Sequence, residues 1–132
     1  MRRVLLDTSI YVDWFRSRRH QELIAGREGA PSLSAVVAME LLAGARGAKG
    51  VERLVDEFRR RRRLLLPGGQ TWWRAARVLR ELHAAGASAS SVASDALIAM
   101  TARAEGLRLF TTNGRDFERV AAIEPFDLVV VA

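Results

Sequence analysis

The feature that most constrains this chain is a missing one: none of its short apolar runs alternates between apolar and polar residues. Residues 2–6 (β-branched at Val4 and ending at Asp7), 64–66, 107–111 and 127–131 read as strands covered on both faces. Ser32-Leu33-Ser34 reads as a brief strand-to-helix junction. The rest reads as helix: from Thr8-Ser9 onward, over about 20–28 up to Gly29 and Pro31, over 35–45 closed by Gly44 and Gly47, and over 51 to about 62. Val51, Leu54, Val55 and Phe58 form the apolar stripe of that last helix. Further helices are expected over 71–85 with Thr71 as cap, from Ser91 or Ser94 to Glu105, and from Asn113 through Val120. Doubly covered strands alternating with helices predict a parallel α/β sheet.

No linker, repeat or low-complexity stretch divides the 132 residues, so 1–132 is expected to be one domain. A chain of this length buries roughly two thirds of its unfolded surface. There is no cysteine, which excludes disulfides, thiolate zinc sites and iron–sulfur clusters. His20 and His83 lie far apart, so a histidine metal site is not expected. No apolar run approaches the ~20 residues of a membrane span, and the three apolar residues after Met1-Arg2-Arg3 are too few for a signal-peptide core. A cytoplasmic protein without a membrane partner is the expectation.

Twenty-one basic residues against 15 acidic ones give a net charge of +6. A compact basic domain favours polyanions, nucleic acid first. Only Lys49 is a lysine, and an Arg- and Ala-rich composition also follows from a GC-rich genome. The basic residues cluster in Arg59, Arg60, Arg61, Arg62 and Arg63. That block reads either as a solvated face complementing a helix end or as an RNA contact.

In an open parallel sheet a ligand sits beyond the carboxyl ends of the strands. Asp7 ends the first expected strand and Asp116 follows the 107–111 strand. Asp95 is placed in the first turn of its helix, and Glu40 lies among apolar residues of the 35–45 helix. Each has a simple structural explanation. Asp7 can cap a helix, and Asn113 with Asp116 resembles a capping box. Asp95 suits a helix dipole, and Glu40 can lie on a solvent stripe. The alternative is convergence. Carboxylates gathered without Cys or His suit a hard divalent cation, Mg²⁺ or Mn²⁺, which neutralises phosphate and activates water.

Four segments in order resemble the PIN-domain family, specifically its VapC-type toxin ribonucleases. They are Val4-Leu5-Leu6-Asp7-Thr8-Ser9, Ala38-Met39-Glu40-Leu41-Leu42-Ala43-Gly44, Ser94-Asp95-Ala96-Leu97-Ile98-Ala99 and Thr111-Thr112-Asn113-Gly114-Arg115-Asp116-Phe117. The resemblance implies a three-layer α/β/α domain with a mainly parallel five-stranded sheet. It implies that Asp7, Glu40, Asp95 and Asp116 hold one or two Mg²⁺ or Mn²⁺ ions. Thr8 or Ser9, Thr111 and Asn113 would orient carboxylates and water beside them. It also implies endonucleolytic cleavage of RNA by a metal-activated water, a cognate VapB-type antitoxin and a homodimer. The alternatives are a PIN-fold RNA-processing nuclease without an antitoxin and a non-catalytic basic RNA-binding module.

Competing chemistries lack their residues. The glycines of 44–50 are not followed by the Gly-Lys-Ser/Thr of a phosphate loop, and no Gly-x-Ser-x-Gly elbow exists. A haloacid-dehalogenase-type phosphatase needs Asp where Ser9 stands, and a receiver domain needs a late lysine. Trp72 and Trp73 cannot share one helix face, so one is expected in the core and the other at an interface. Trp14 and Phe15 suit either, and His83 is expected at the surface.

Overall fold

Val4, Leu5 and Leu6 are wholly buried, as a run covered on both faces requires. They form β1 (Arg3–Leu6), the middle strand of a sheet in a computed structural model that describes residues 3–44, 49–87 and 89–132. After β1 come α1 (Thr8–Ser17), α2 (Gln21–Ile24), β2 (Ala30–Ser34), α3 (Ala35–Gly44) and α4 (Lys49–Arg60). Then follow β3 (Leu64–Leu65), α5 (Gly69–Ala84), α6 (Ala89–Glu105), β4 (Arg108–Thr111), α7 (Gly114–Ile123) and β5 (Leu128–Val130). The five strands pair in the order β3-β2-β1-β4-β5, and every pairing is parallel. The expected starting point at Arg2 and the expected helix end at Ala45 and Gly47 lie outside the described residues.

From β1 the chain steps outward to β2 and β3, then returns across the sheet to β4 and β5. Right-handed crossovers therefore place α1–α4 on one face and α5–α7 on the other. The packing agrees: α1 touches α3, α3 touches α4, and α5, α6 and α7 touch one another. α3 also touches α6, its counterpart from the opposite layer. The strand order reverses between β1 and β4. Their carboxyl ends are where this topology opens a crevice.

Local chemistry departs from the sequence reading at several points. The helix expected over 20–28 is only α2, because Gly26 takes a left-handed φ of 82° and ends it. Ser32-Leu33-Ser34 belongs to a full strand. Pro31 is tolerated there because β3 reaches only Leu33 and Ser34, leaving Pro31 paired on one side alone. The strand expected over 64–66 is a half-buried edge of two residues, with Leu66 exposed. Gly68, not Thr71, is the cap of α5, and Thr71 is buried inside the helix. Ser91 and Ser94 both lie within α6. Trp72 and Trp73 are both exposed, so neither is a core residue. His83 is exposed as expected, and Trp14 and Phe15 are half-buried against each other. Among the described residues no helix is long and apolar enough to cross a membrane.

Gly114 opens α7 against the last strand. A Cβ there would stand 2.9 Å from Val130 Cγ1 and 3.2 Å from Cγ2. Gly114→Ala is expected to destabilise the fold by about 1–3 kcal/mol, as small-to-large changes in tight contacts do. A denaturant titration would show the loss; an unchanged midpoint would mean β5 moves freely.

Candidate active site

Asp7 follows β1 directly, and its N–H donates to Phe110 O of β4 at 2.9 Å. Its side chain stands at the N-cap of α1 yet makes no capping hydrogen bond. Instead Oδ2 accepts the hydroxyls of Thr111 at 2.7 Å and Ser9 at 2.9 Å. Each hydroxyl is itself fixed by a backbone N–H. Asn113 N–H donates to Thr111 Oγ1 at 2.9 Å, and Thr112 N–H donates to Ser9 Oγ at 3.1 Å. The loop after β4 thus sets the direction in which both hydroxyls donate. Asp7 is 4% exposed. Burial raises its pKa, against the lowering by the Thr111 and Ser9 hydroxyls.

Glu40 extends from α3 and accepts Thr8 Oγ1 at 2.7 Å. It is half-buried, so its place among apolar residues reflects a partner rather than a solvent stripe. Asp116 lies in the first turn of α7, as the helix-dipole argument expects. The capping box does not form. Asn113 makes no side-chain cap, and its Nδ2 donates to Asp116 Oδ2 at 3.1 Å.

Asp95 shows how the four relate. α6 begins at Ala89, which puts Asp95 past the first turn and removes the dipole explanation offered for it. Its carboxyl is half-buried and, among the described residues, makes no hydrogen bond or ion pair. Its pKa is pushed up to about 7, first by burial, then by the charges of Asp7, Asp116 and Glu40. The fold therefore brings all four sequence-predicted acids into one electrostatic field. They come from the β1–α1 junction, α3, α6 and α7, which meet where the strand order reverses. Among the described residues no Lys or Arg pairs with any of them.

Carboxylates without a cationic partner among the described residues, one of them raised by burial and then by the charges of the other three, suit a hard cation with oxygen ligands. Among the described residues no three Asp, Glu or His side chains yet converge to ligand distance. The donor chemistry fits a divalent ion; a closed cage is not preformed.

One neighbouring feature had no signal in the sequence. A trough of about 460 Å³ begins at Glu40 and is walled by Val12, Phe15, Leu41 and Val51, with Arg16 at its edge. Its residues come from α1, α3 and α4, and no local pattern links them.

The PIN domain model matches residues 4–123. The chain belongs to the PIN domain family. PIN domains generally use divalent metals, in keeping with the carboxylates gathered here. No curated protein matches the sequence. Among solved structures, the PIN chain is similar to VapBC2 from Rickettsia felis bound to a DNA fragment from its promoter, at 22% identity. The match covers 98% of this chain and 99% of that one, with a TM-score of 0.74. It is similar to DNA-bound VapBC from Salmonella typhimurium at 24% identity, covering 98% of each chain, TM-score 0.74. It is also similar to VapBC-5 from Mycobacterium tuberculosis, a member of the VapBC family of toxin-antitoxin systems. There the identity is 17%, the coverage 99% and 100%, and the TM-score 0.66. At these identities the likeness is one of fold.

Proposed function

We propose that this PIN domain is a Mg²⁺- or Mn²⁺-dependent endoribonuclease, the toxin of a VapBC-type toxin–antitoxin pair. The observation that carries the reading is the Asp95 carboxyl, half-buried without a partner among the described residues and raised by that burial and by three neighbouring carboxylates. The toxin assignment is supported by full-length fold likeness to VapBC structures. In this reading a VapB-type antitoxin is the protein partner.

Asp7, Asp95, Asp116 and Glu40 would hold the cation. When bound, it supplies a Lewis acid that shields phosphate charge and acidifies a water. The chain's own residues do the rest. Thr111 and Ser9 both donate to one oxygen of Asp7, fixing the orientation of that carboxylate. Thr8 aims Glu40 in the same way. Asn113 holds Asp116. Asp95, whose carboxyl is raised in the metal-free fold first by burial and then by its three acidic neighbours, would give up its proton to hold the cation. The basic surface gathers the polyanion that this acidic crevice would otherwise repel.

The test is cleavage of a mixed RNA substrate with Mg²⁺, with Mn²⁺ and with EDTA, Asp7→Asn being the control. Metal-dependent cleavage that disappears in Asp7→Asn, with the fold retained, supports the reading. Full activity in Asp7→Asn overturns the site. A finer check concerns the hydroxyls. Thr111→Val removes the donor to Asp7 and the acceptor for Asn113 N–H. It is expected to lower kcat about 10- to 100-fold, the usual scale for groups that orient metal ligands. An unchanged kcat would show that Ser9 alone suffices.

A further inference from the structure

Four helices end in the same pair of hydrogen bonds, α2 among them at Gly26 and Arg27, and one of the four uses an unexpected residue. At the end of α5, Gly86 N–H bonds His83 O and Ala87 N–H bonds Leu82 O. At the end of α6, Gly106 N–H bonds Arg103 O and Leu107 N–H bonds Ala102 O. Both glycines take the left-handed φ this ending requires, 86° and 65°. At the end of α4 the bonds are Arg62 N–H to Arg59 O and Arg63 N–H to Phe58 O. The left-handed residue there is Arg62, at φ 56°. A Cβ in that region carries a steric penalty that glycine avoids.

The Arg62 side chain does nothing for the fold that would offset this. It is exposed, with no hydrogen bond or ion pair among the described residues. Arg18 offers the contrast: it is also left-handed, at φ 61°, but its guanidinium lies 4.3 Å from the centre of the Trp14 ring. Around Arg62 the charges do not balance. Arg59 pairs with Asp56, while Arg60 and Arg61 share Glu57. Arg53, Arg62 and Arg63 are left without an acidic partner among the described residues.

Beside Arg62 lies a cavity of about 370 Å³, with Ile24, Pro31 and Phe58 among its apolar lining and Glu57, Arg61 and Arg63 as its charged lining, the Glu57 carboxylate being neutralised by Arg60 and Arg61. β3 is parallel to β2, so α4 must end at the amino edge of the sheet, opposite the carboxylates. The 12 residues of α4 separate the two ends by about 18 Å.

We propose that the foot of α4 is a second RNA contact, away from the cleavage centre. A single-stranded nucleotide seats its base in the cavity, and Arg53, Arg62 and Arg63 take neighbouring phosphates along α4. An aromatic ring such as Phe58 beside planar guanidiniums is a means by which proteins hold unpaired bases, and arginines without acidic partners neutralise the backbone. An acidic protein surface would use the charges but not the cavity. The inference rests on the ribonuclease reading and adds to it: the substrate is held along one side of the domain, and unpaired RNA is preferred.

Arg62 makes a clean test, because glycine at that position relieves the backbone. In an Asp95→Asn background, binding of a single-stranded RNA of about 20 nucleotides would be followed by anisotropy across salt concentrations. Adding Arg53→Gln and Arg62→Gly is expected to weaken binding about fivefold or more at moderate salt. The log–log salt slope should flatten by about 1.4, at ~0.7 for each cation on a single strand. The thermal midpoint of Arg62→Gly alone should be at or above that of its parent, so lost binding is not lost folding. Unchanged affinity and slope overturn the proposal and leave the block to an acidic protein surface. If the wild type still cleaves RNA in that case, only the second contact fails. If it neither cleaves nor binds RNA, the ribonuclease reading fails and this inference with it.

Discussion

Replacing Asp95 with asparagine is expected to remove RNA cleavage and, at the same time, to make the metal-free protein more stable. The two effects share one cause. Asp95 is half-buried, has no hydrogen-bond partner among the described residues, and faces the charges of Asp7, Asp116 and Glu40. Asparagine keeps the shape and deletes the charge, so the repulsion and the cost of burying an ion both fall. At pH 8 the gain is expected to be about 1–2 kcal/mol, or several degrees in Tm. Cleavage should fall by at least about 100-fold, no less than the loss of one hydrogen-bond donor from a charge-stabilising site costs. A control at Asp56, an exposed acid paired with Arg59, is expected to change neither quantity. Thermal melts in EDTA beside cleavage assays in Mn²⁺ would show both effects. An Asp95→Asn protein that is active, or that melts below the wild type at pH 8, would remove Asp95 from the site.

What was legible in the sequence was the kind of sheet and the identity of the acids. Runs such as Val4-Leu5-Leu6 can only be buried on both faces, and that forces parallel strands between helices. Asp7 and Thr111 end neighbouring strands, so their meeting followed once the sheet was parallel. Illegible were features set by distant contacts. That Pro31 could sit in a strand depended on the shortness of β3, two elements away. Asp95 was placed in a first turn because Ser91 and Ser94 are good caps, but α6 begins earlier, at Ala89. The Asn113-Asp116 spacing pointed to a capping box, but the side chains bond each other instead. The roles of Ser9 and Thr111 depend on the β4–α7 loop folding back so that Asn113 and Thr112 N–H groups fix both hydroxyls. Trp72 and Trp73 show the limit of helical-face arguments. Spacing separated them onto different faces, yet both faces turned out to be open.

Metal and pH are expected to act against each other on stability. In the unfolded chain Asp95 titrates near 3.8; in the fold it titrates near 7. Between these values the folded state holds a proton that the unfolded state has released. Stability of the metal-free protein is therefore greatest below about pH 4 for this group and is lost as pH rises toward and through 7. Asp7 is raised by burial and contributes with the same sign. The loss is of order 2 kcal/mol once solvent screening on the open side of the crevice is allowed for, roughly 5–10 °C in Tm. A divalent cation needs the carboxylates deprotonated, so its binding competes with that proton. The stabilisation by Mg²⁺ or Mn²⁺ should then be small near pH 5 and large near pH 8, approaching ~3 kcal/mol at a hundredfold excess over Kd. Melting curves at several pH values, with EDTA and with each metal, would measure the crossing. The rival reading, in which the acids only cap helices on a basic RNA-binding module, predicts something else. Capping carboxylates gain stability as they ionise, so the metal-free curve would rise with pH and metal would leave it unmoved. The sign of one slope separates an ion-binding crevice from a set of helix caps, because a carboxylate buried beside other carboxylates keeps its proton where a capping carboxylate gives it up.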